Sequence, residues 1–156
     1  MSYLTDITKQ IKRGQDVIFV GTGMILVDNN NRIFIACRSD NNQWCLPGGS
    51  LEIGESLEDC IVRETCEETK VKVKSENVRL NSAKAILEPI NKNGTPIYVV
   101  SVSYWTDNYD ATDLEIDSRE FTQFSWMTMD ELERMDNITT YSKVALEEFK
   151  KNRVIN

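Results

Sequence analysis

Residues 47–71 read PGGSLEIGESLEDCIVRETCEETKV, and the rest of the chain is best read outward from them. Pro47-Gly48-Gly49 ends a short apolar run, and two adjacent glycines let backbone approach closely. Ser56 opens a helix as N-cap, with Asp59 three residues on, and the helix is expected to run to about Thr69. On a helical wheel Glu64, Glu67 and Glu68 share one face with Leu57, Cys60 and Ile61. That stripe is apolar in its first half and acidic in its second. Carboxylates this close repel, more so when partly buried, unless a cation sits among them. Hard oxygen ligands select Mg2+ or Mn2+ over zinc, and the negative end of the helix dipole adds to the attraction. The helix alone fits a solvated acidic end equally well. The flanking glycines weigh for the cation, and so does Arg63, the only base between residues 51 and 68, placed to orient Glu55 or Glu64.

The whole chain has 156 residues, with 25 acids against 18 bases and no histidine, for a net charge of −7. Residues 51–68 hold seven acids and one base, so this segment carries nearly all of the net charge. Without histidine there is no Ser-His-Asp or Cys-His machinery and no His-containing zinc site. Catalysis is left to carboxylates, thiols, hydroxyls, Lys/Arg or a metal held by oxygen. A hydrophobic share of 40% and a charged share of 28% suit a soluble single domain. Net acidity disfavours long nucleic acid as a partner. The longest uncharged run, Val17 to Val27, is far short of the ~20 residues that span a bilayer, and no secretory signal is expected. Cys37, Cys45, Cys60 and Cys66 lack C-x-x-C spacing and read as reduced thiols of a cytoplasmic protein.

Outside the helix, periodicity gives a short helix over residues 3–13, with Leu4, Ile7 and Ile11 on one face. Val17 to Val27 and Arg32 to Arg38 read as a hairpin around Asp28-Asn29-Asn30-Asn31. Trp44 to Leu46 is a short strand. Further strands fall at Ser82 to Ile90, Ile97 to Thr106 (with Asn93-Gly94 as turn) and Phe121 to Trp126, and helices at Met129 to Met135 and Thr140 to Lys151. Strands with interspersed helices predict an α+β chain layered as an α/β/α sandwich.

The pattern Gly49-x5-Glu55-x7-Arg63-Glu64-Thr65-x-Glu67-Glu68-x-Lys70-Val71 resembles the signature of the Nudix hydrolases, of the MutT-like kind: G-x5-E-x7-R-E-U-x-E-E-x-G-U, U being aliphatic. Thr65 stands where the signature has an aliphatic residue and Lys70 where it has glycine. Looser similarity takes in Arg38, Trp44-x-Leu46-Pro47-Gly48-Gly49 and Glu120, which lies six residues before Trp126. The resemblance implies one domain over residues 1–156, with its signature at 49–71 and a mixed central sheet. It implies hydrolysis of a nucleoside diphosphate linked to another moiety, by water attack on the diphosphate, with Mg2+ or Mn2+ as cofactor. By the same resemblance Glu64, Glu67 and Glu68 ligate metal, together with a Gly48 or Gly49 carbonyl, and Arg63 orients carboxylates. Glu55 is structural support for Arg63. The general base is Glu67, Glu68 or Glu120. Arg38, Trp44 and Glu52 are candidate substrate contacts. Tyr98, Tyr104, Trp105 and Phe121 are further stacking candidates. A catalytically weak nucleotide-binding module and an RNA 5′-pyrophosphohydrolase are the alternatives, and a homodimer is compatible. Oxidised dNTPs, ADP-ribose, nucleotide sugars, dinucleoside polyphosphates and capped RNA all stay open as substrates.

Overall fold

The computed structural model describes residue 10, residues 15–92 and residues 95–154, so the helix expected over 3–13 and the Asn93-Gly94 turn lie outside the described residues. The chain runs β1 (Val17–Leu26), β2 (Ile33–Arg38), β3 (Trp44–Cys45), α1 (Leu57–Thr69), a 3-10 turn (Ser75–Asn77), β4 (Arg79–Lys92), β5 (Thr95–Thr106), β6 (Phe121–Met127), α2 (Met129–Glu133) and α3 (Thr140–Val154). Among the described residues the strands form two sheets. One is mixed, in the order β1-β5-β4, with β1 parallel and β4 antiparallel to β5; the other, β3-β2-β6, is antiparallel.

The hairpin expected between β1 and β2 is therefore corrected. The two strands belong to different sheets: their backbones are linked by the isolated Val27–Ile33 bridge, and their side chains pack in a shared core. The turn is tight because the Asp28 carboxylate accepts from the Asn30 and Arg32 amides, at 2.9 and 2.8 Å, and Asn31 adopts a left-handed φ of 57°. Past it, β1 has a ten-residue parallel partner in β5, and that long register outweighs local pairing with β2.

Strand alternation divides the core. Met24, Leu26, Phe34 and Ala36 enter one cluster with Ile61 from α1 and Val71, two residues past its end. Ile25, Val27, Ile33 and Ile35 enter the other with Ala145, Leu146 and Phe149 from α3. Both faces of β1 and β2 are covered, which is why they read as unbroken apolar runs. The layers are helix, sheets and helix, as the element order predicts.

α1 starts where expected. The Ser56 hydroxyl accepts from the Asp59 amide (3.1 Å) and donates to the Asp59 carboxylate (2.7 Å). Thr65 is fully buried, its hydroxyl donating to the Ile61 carbonyl at 2.7 Å, so the polar atom is satisfied inside the helix. At the far end Lys70 takes the left-handed conformation (φ 59°) and donates its N–H to Cys66 at 2.9 Å. A side chain in that region costs roughly 1 kcal/mol relative to glycine. Lys70→Gly is expected to raise the melting temperature by about 2–4 °C. An unchanged or lower melting point in a thermal scan would show that the turn carries no such strain.

Candidate active site

The Pro47–Leu51 segment is laid along β1. Met24 donates to the Pro47 carbonyl (2.8 Å), Thr22 to Gly49 (2.7 Å) and Leu51 to Val20 (3.1 Å). This closeness explains the glycines. A Cβ on Gly48 would overlap the Thr22 carbonyl, and a Cβ on Gly49 would collide with the Glu64 carboxylate. The first obstacle is backbone and the second is the movable end of a side chain. Gly49→Ala is therefore expected to displace Glu64 and lower turnover by about 10–100-fold, while the melting temperature falls by less than about 4 °C. Wild-type turnover in this variant would show that the Glu64 position does not matter.

Arg63 ties the loop before α1 to the helix. Its guanidinium grips Glu55 with two bonds (2.7 and 3.0 Å), donates to Glu64 Oε1 (2.7 Å) and to the Ser50 carbonyl (3.3 Å), and lies 3.6 Å from Glu67. Glu55 also accepts from the Glu52 amide (3.2 Å), and the Glu52 carbonyl accepts from the Glu55 amide (3.3 Å), so Glu52 sits in the same loop. The Arg63 guanidinium holds the Glu55 carboxyl below the usual range.

The three acids at the end of α1 have different surroundings. Glu68 is 6% exposed, and its carboxylate accepts from the Gly48 amide at 2.9 Å. Burial pushes its carboxyl well above the ordinary value, against the Gly48 N–H, and the nearby charges of Glu120 and Glu64 push the same way. The Glu64 side chain is 16% exposed, and burial raises it too, against the pull of Arg63. Glu67 is 62% exposed, so the wheel's inward face holds Glu64 and Glu68 while Glu67 reaches outward beside them.

Glu120 comes from the loop before β6 and faces this pair closely enough for its charge to raise both. The loop is pinned to the C-terminal end of α1: Asp117 and Glu115 donate to the Glu68 and Thr69 carbonyls at 2.8 and 3.0 Å. These bonds satisfy orphan carbonyls of the helix. Arg119, adjacent to Glu120, is spent on Asp117 (2.6 Å).

Among the described residues no three acids or thiols are already drawn together as a metal cage. The donor chemistry still suits a hard divalent cation. All side-chain donors are oxygens: the Glu68 carboxylate is buried, that of Glu64 is partly buried, and that of Glu67 is exposed. The Gly49 carbonyl already accepts from the Thr22 amide and hydroxyl, which moves the backbone donor towards Gly48.

Arg38 lies at the end of β2 with its guanidinium on Asp40 (2.9 and 2.7 Å), near enough to Glu68 to oppose the rise of its carboxyl. Trp44 is not brought to the carboxylates: it packs with the α3-side cluster, on the opposite side of β3 from Cys45. Of the other aromatics, Tyr104 is buried with its hydroxyl donating to Glu58 (2.8 Å), Phe121 is buried, and Trp105 lies under the guanidinium groups of Arg79 and Arg153. Sequence reading missed Asp40, which was within reach as an acid two residues after Arg38.

A family profile described as NUDIX domain matches residues 18–149. A MutT-like protein of Streptomyces ambofaciens is 32% identical over 120 residues, covering 76% of this chain and 70% of that protein. The NAD-capped RNA hydrolase NudC of Vibrio parahaemolyticus is 28% identical over 127 residues, covering 80% of this chain and 45% of the longer relative. This chain thus spans less than half of that second protein. The crystal structure of a MutT NUDIX hydrolase from Burkholderia pseudomallei shares the fold, with a TM-score of 0.71 at 23% identity, covering 84% of this chain and 97% of that one.

Proposed function

The chain belongs to the NUDIX family of hydrolases acting on phosphorus-containing anhydrides, and from that premise we propose that it cleaves a nucleoside diphosphate linked to another moiety, with Mg2+ as its cation. Enzymes of this family use divalent ions. The observation that carries the reading is Glu68: a buried carboxylate beside Glu64, held by the Gly48 N–H and faced by Glu120. Burying such charge is costly without a counter-ion.

In this reading Glu64, Glu67 and Glu68 hold the cation, with the Gly48 carbonyl. A divalent ion there supplies Lewis acidity towards the diphosphate oxygens and makes water more acidic. Arg63 keeps Glu64 turned to the site, and Glu55 keeps Arg63 in place. Glu120 takes the proton of the attacking water: it stands across from Glu64 and Glu68, and its basic neighbour is occupied elsewhere. Arg38 steadies phosphate oxygens of the substrate. Four free cysteines and, among the described residues, no helix long and apolar enough to cross a membrane support placing the enzyme in the cytoplasm.

The test is product release across a panel of oxidised dNTPs, ADP-ribose, nucleotide sugars, dinucleoside polyphosphates and 5′-triphosphate or NAD-capped RNA, with and without Mg2+. Cleavage of at least one substrate, dependent on the metal, is expected. Glu120→Gln should lower kcat by about 10²-fold while leaving metal affinity near wild type. Tight nucleotide binding with no product over hours would instead identify a binding module.

A further inference from the structure

We infer that the Thr22 hydroxyl and the Cys60 thiol form a directed hydrogen-bond chain between Arg63 and the Gly48-Gly49 backbone, and that this chain sets how tightly the divalent ion is held. This rests on the cation reading above. Thr22 lies on β1 and Cys60 on α1, and both are buried, Cys60 completely. The Thr22 hydroxyl oxygen is 3.3 Å from the Gly49 carbonyl and 3.3 Å from the Cys60 sulfur. A hydroxyl has one hydrogen and a carbonyl oxygen only accepts, so the hydroxyl donates to Gly49. The thiol then donates to the Thr22 oxygen. Its sulfur accepts in turn from Arg63 Nη2 at 3.7 Å. The chain therefore runs one way, from Arg63 through Cys60 and Thr22 to Gly49. Burial pushes the Cys60 thiol up to about 11, so it keeps the hydrogen that it gives to Thr22.

Both ends of the chain belong to the site. At one end the Arg63 guanidinium donates to Glu64 Oε1 at 2.7 Å. At the other, the Gly49 carbonyl takes the Thr22 amide at 2.7 Å as well as the hydroxyl, so both of its lone pairs are used. The adjacent Gly48 carbonyl is left as the backbone donor, on the residue whose amide donates to Glu68 at 2.9 Å. Two consecutive glycines impose little torsional restraint of their own, so the bonds made to this stretch decide where the Gly48 carbonyl points. Arg63 Nη2 also reaches the Ser50 carbonyl at 3.3 Å, so the guanidinium that orients Glu64 holds the glycine loop at two neighbouring residues, once directly and once through Cys60 and Thr22. Neither Thr22 nor Cys60 is a ligand. They are positioning residues, and they act on a carboxylate ligand and a backbone ligand together.

The probe is Mn2+ alone, titrated into wild type, Thr22→Val, Thr22→Ser, Cys60→Ala and the Thr22→Val/Cys60→Ala double variant, with free Mn2+ read by electron paramagnetic resonance. Valine keeps the shape of Thr22 and its backbone bond to Gly49 and removes only the hydroxyl. Thr22→Val is expected to bind Mn2+ about 3–10-fold more weakly, and Thr22→Ser to restore most of the difference. Cys60→Ala should show a similar loss, and the double variant should be no weaker than the weaker single one, because both changes break the same chain. On whichever substrate the panel yields, the Mg2+ concentration for half-maximal rate should rise by the same factor in Thr22→Val. A merely structural role would lower the melting temperature of these variants and leave Mn2+ affinity at the wild-type value, and that result overturns the inference. Multiplying losses in the double variant, or a Thr22→Ser as weak as Thr22→Val, overturn it as well, as does a wild type that binds no Mn2+. A wild type that binds Mn2+ but cleaves nothing in the panel sinks the proposed reaction, while the expected losses of Mn2+ affinity would still uphold the chain.

Discussion

Glu68→Gln is expected to lower turnover by about 10²–10³-fold and yet to raise the melting temperature of the metal-free protein at pH 8 by roughly 3–6 °C. The two effects have one origin. Burial, with Glu120 and Glu64 nearby, holds the Glu68 carboxyl well above its ordinary value of 4.5. The folded chain therefore binds this proton more tightly than the unfolded chain does. That contribution to stability is complete below the unfolded value. It declines as pH rises above the unfolded value and through the folded one, so alkaline conditions disfavour the buried acid. Glutamine does not ionise, so the variant avoids this cost but loses an anionic ligand. The stability gain should vanish near pH 4.5 and grow towards pH 8. Added Mg2+ should stabilise wild type more than the variant, because binding to the folded state shifts its equilibrium. Scans at several pH values, with and without Mg2+, read all of this. A variant less stable than wild type at pH 8 without metal, or one with full turnover, would refute the assignment.

Arg63→Ala is expected to cost about 2–4 kcal/mol and lower the melting temperature by about 6–10 °C. Removing the guanidinium strands Glu55 and Glu64, whose side chains are only 14% and 16% exposed. Arg63 itself is 31% exposed, so solvent reduces the figure below that of a fully buried pair. The loss should also depend on pH. Arg63 depresses the Glu55 carboxyl, so the stability it gives is present above the unfolded value and lost as pH falls through the folded one. The gap between wild type and variant should therefore narrow in acid. Arg63→Lys should recover less than half of the difference, since an ammonium cannot chelate Glu55 while also reaching Glu64. Equal melting curves for Arg63→Ala and wild type at pH 7 would mean that the triad does not hold the loop.

Lys70 and Thr65 show how departures from a motif are accommodated. Thr65 fills an aliphatic position by bonding its hydroxyl to Ile61 within the helix, and Lys70 adopts the glycine conformation at a cost in strain. Neither change touches a carboxylate. The spacing of residues 49–71 could therefore be read despite them.

What the sequence by itself determined is local and periodic. The cap at Ser56, the span of α1, the common side of Glu64 and Glu68 and the reach of Arg63 to Glu55 and Glu64 follow from 3.6-residue periodicity and short separations. The strands of β1 and β2 were legible as apolar runs, and their partners were not. Pairing is set by the best register over the whole chain: β1 joins β5, some eighty residues on, and passes over the adjacent β2. Only the tertiary structure decided which carboxylates are buried, since the wheel gives a direction and not what covers it. Glu67 faces solvent because nothing packs over it, and Glu68 is enclosed because the Gly48 backbone and the 115–120 loop close on it.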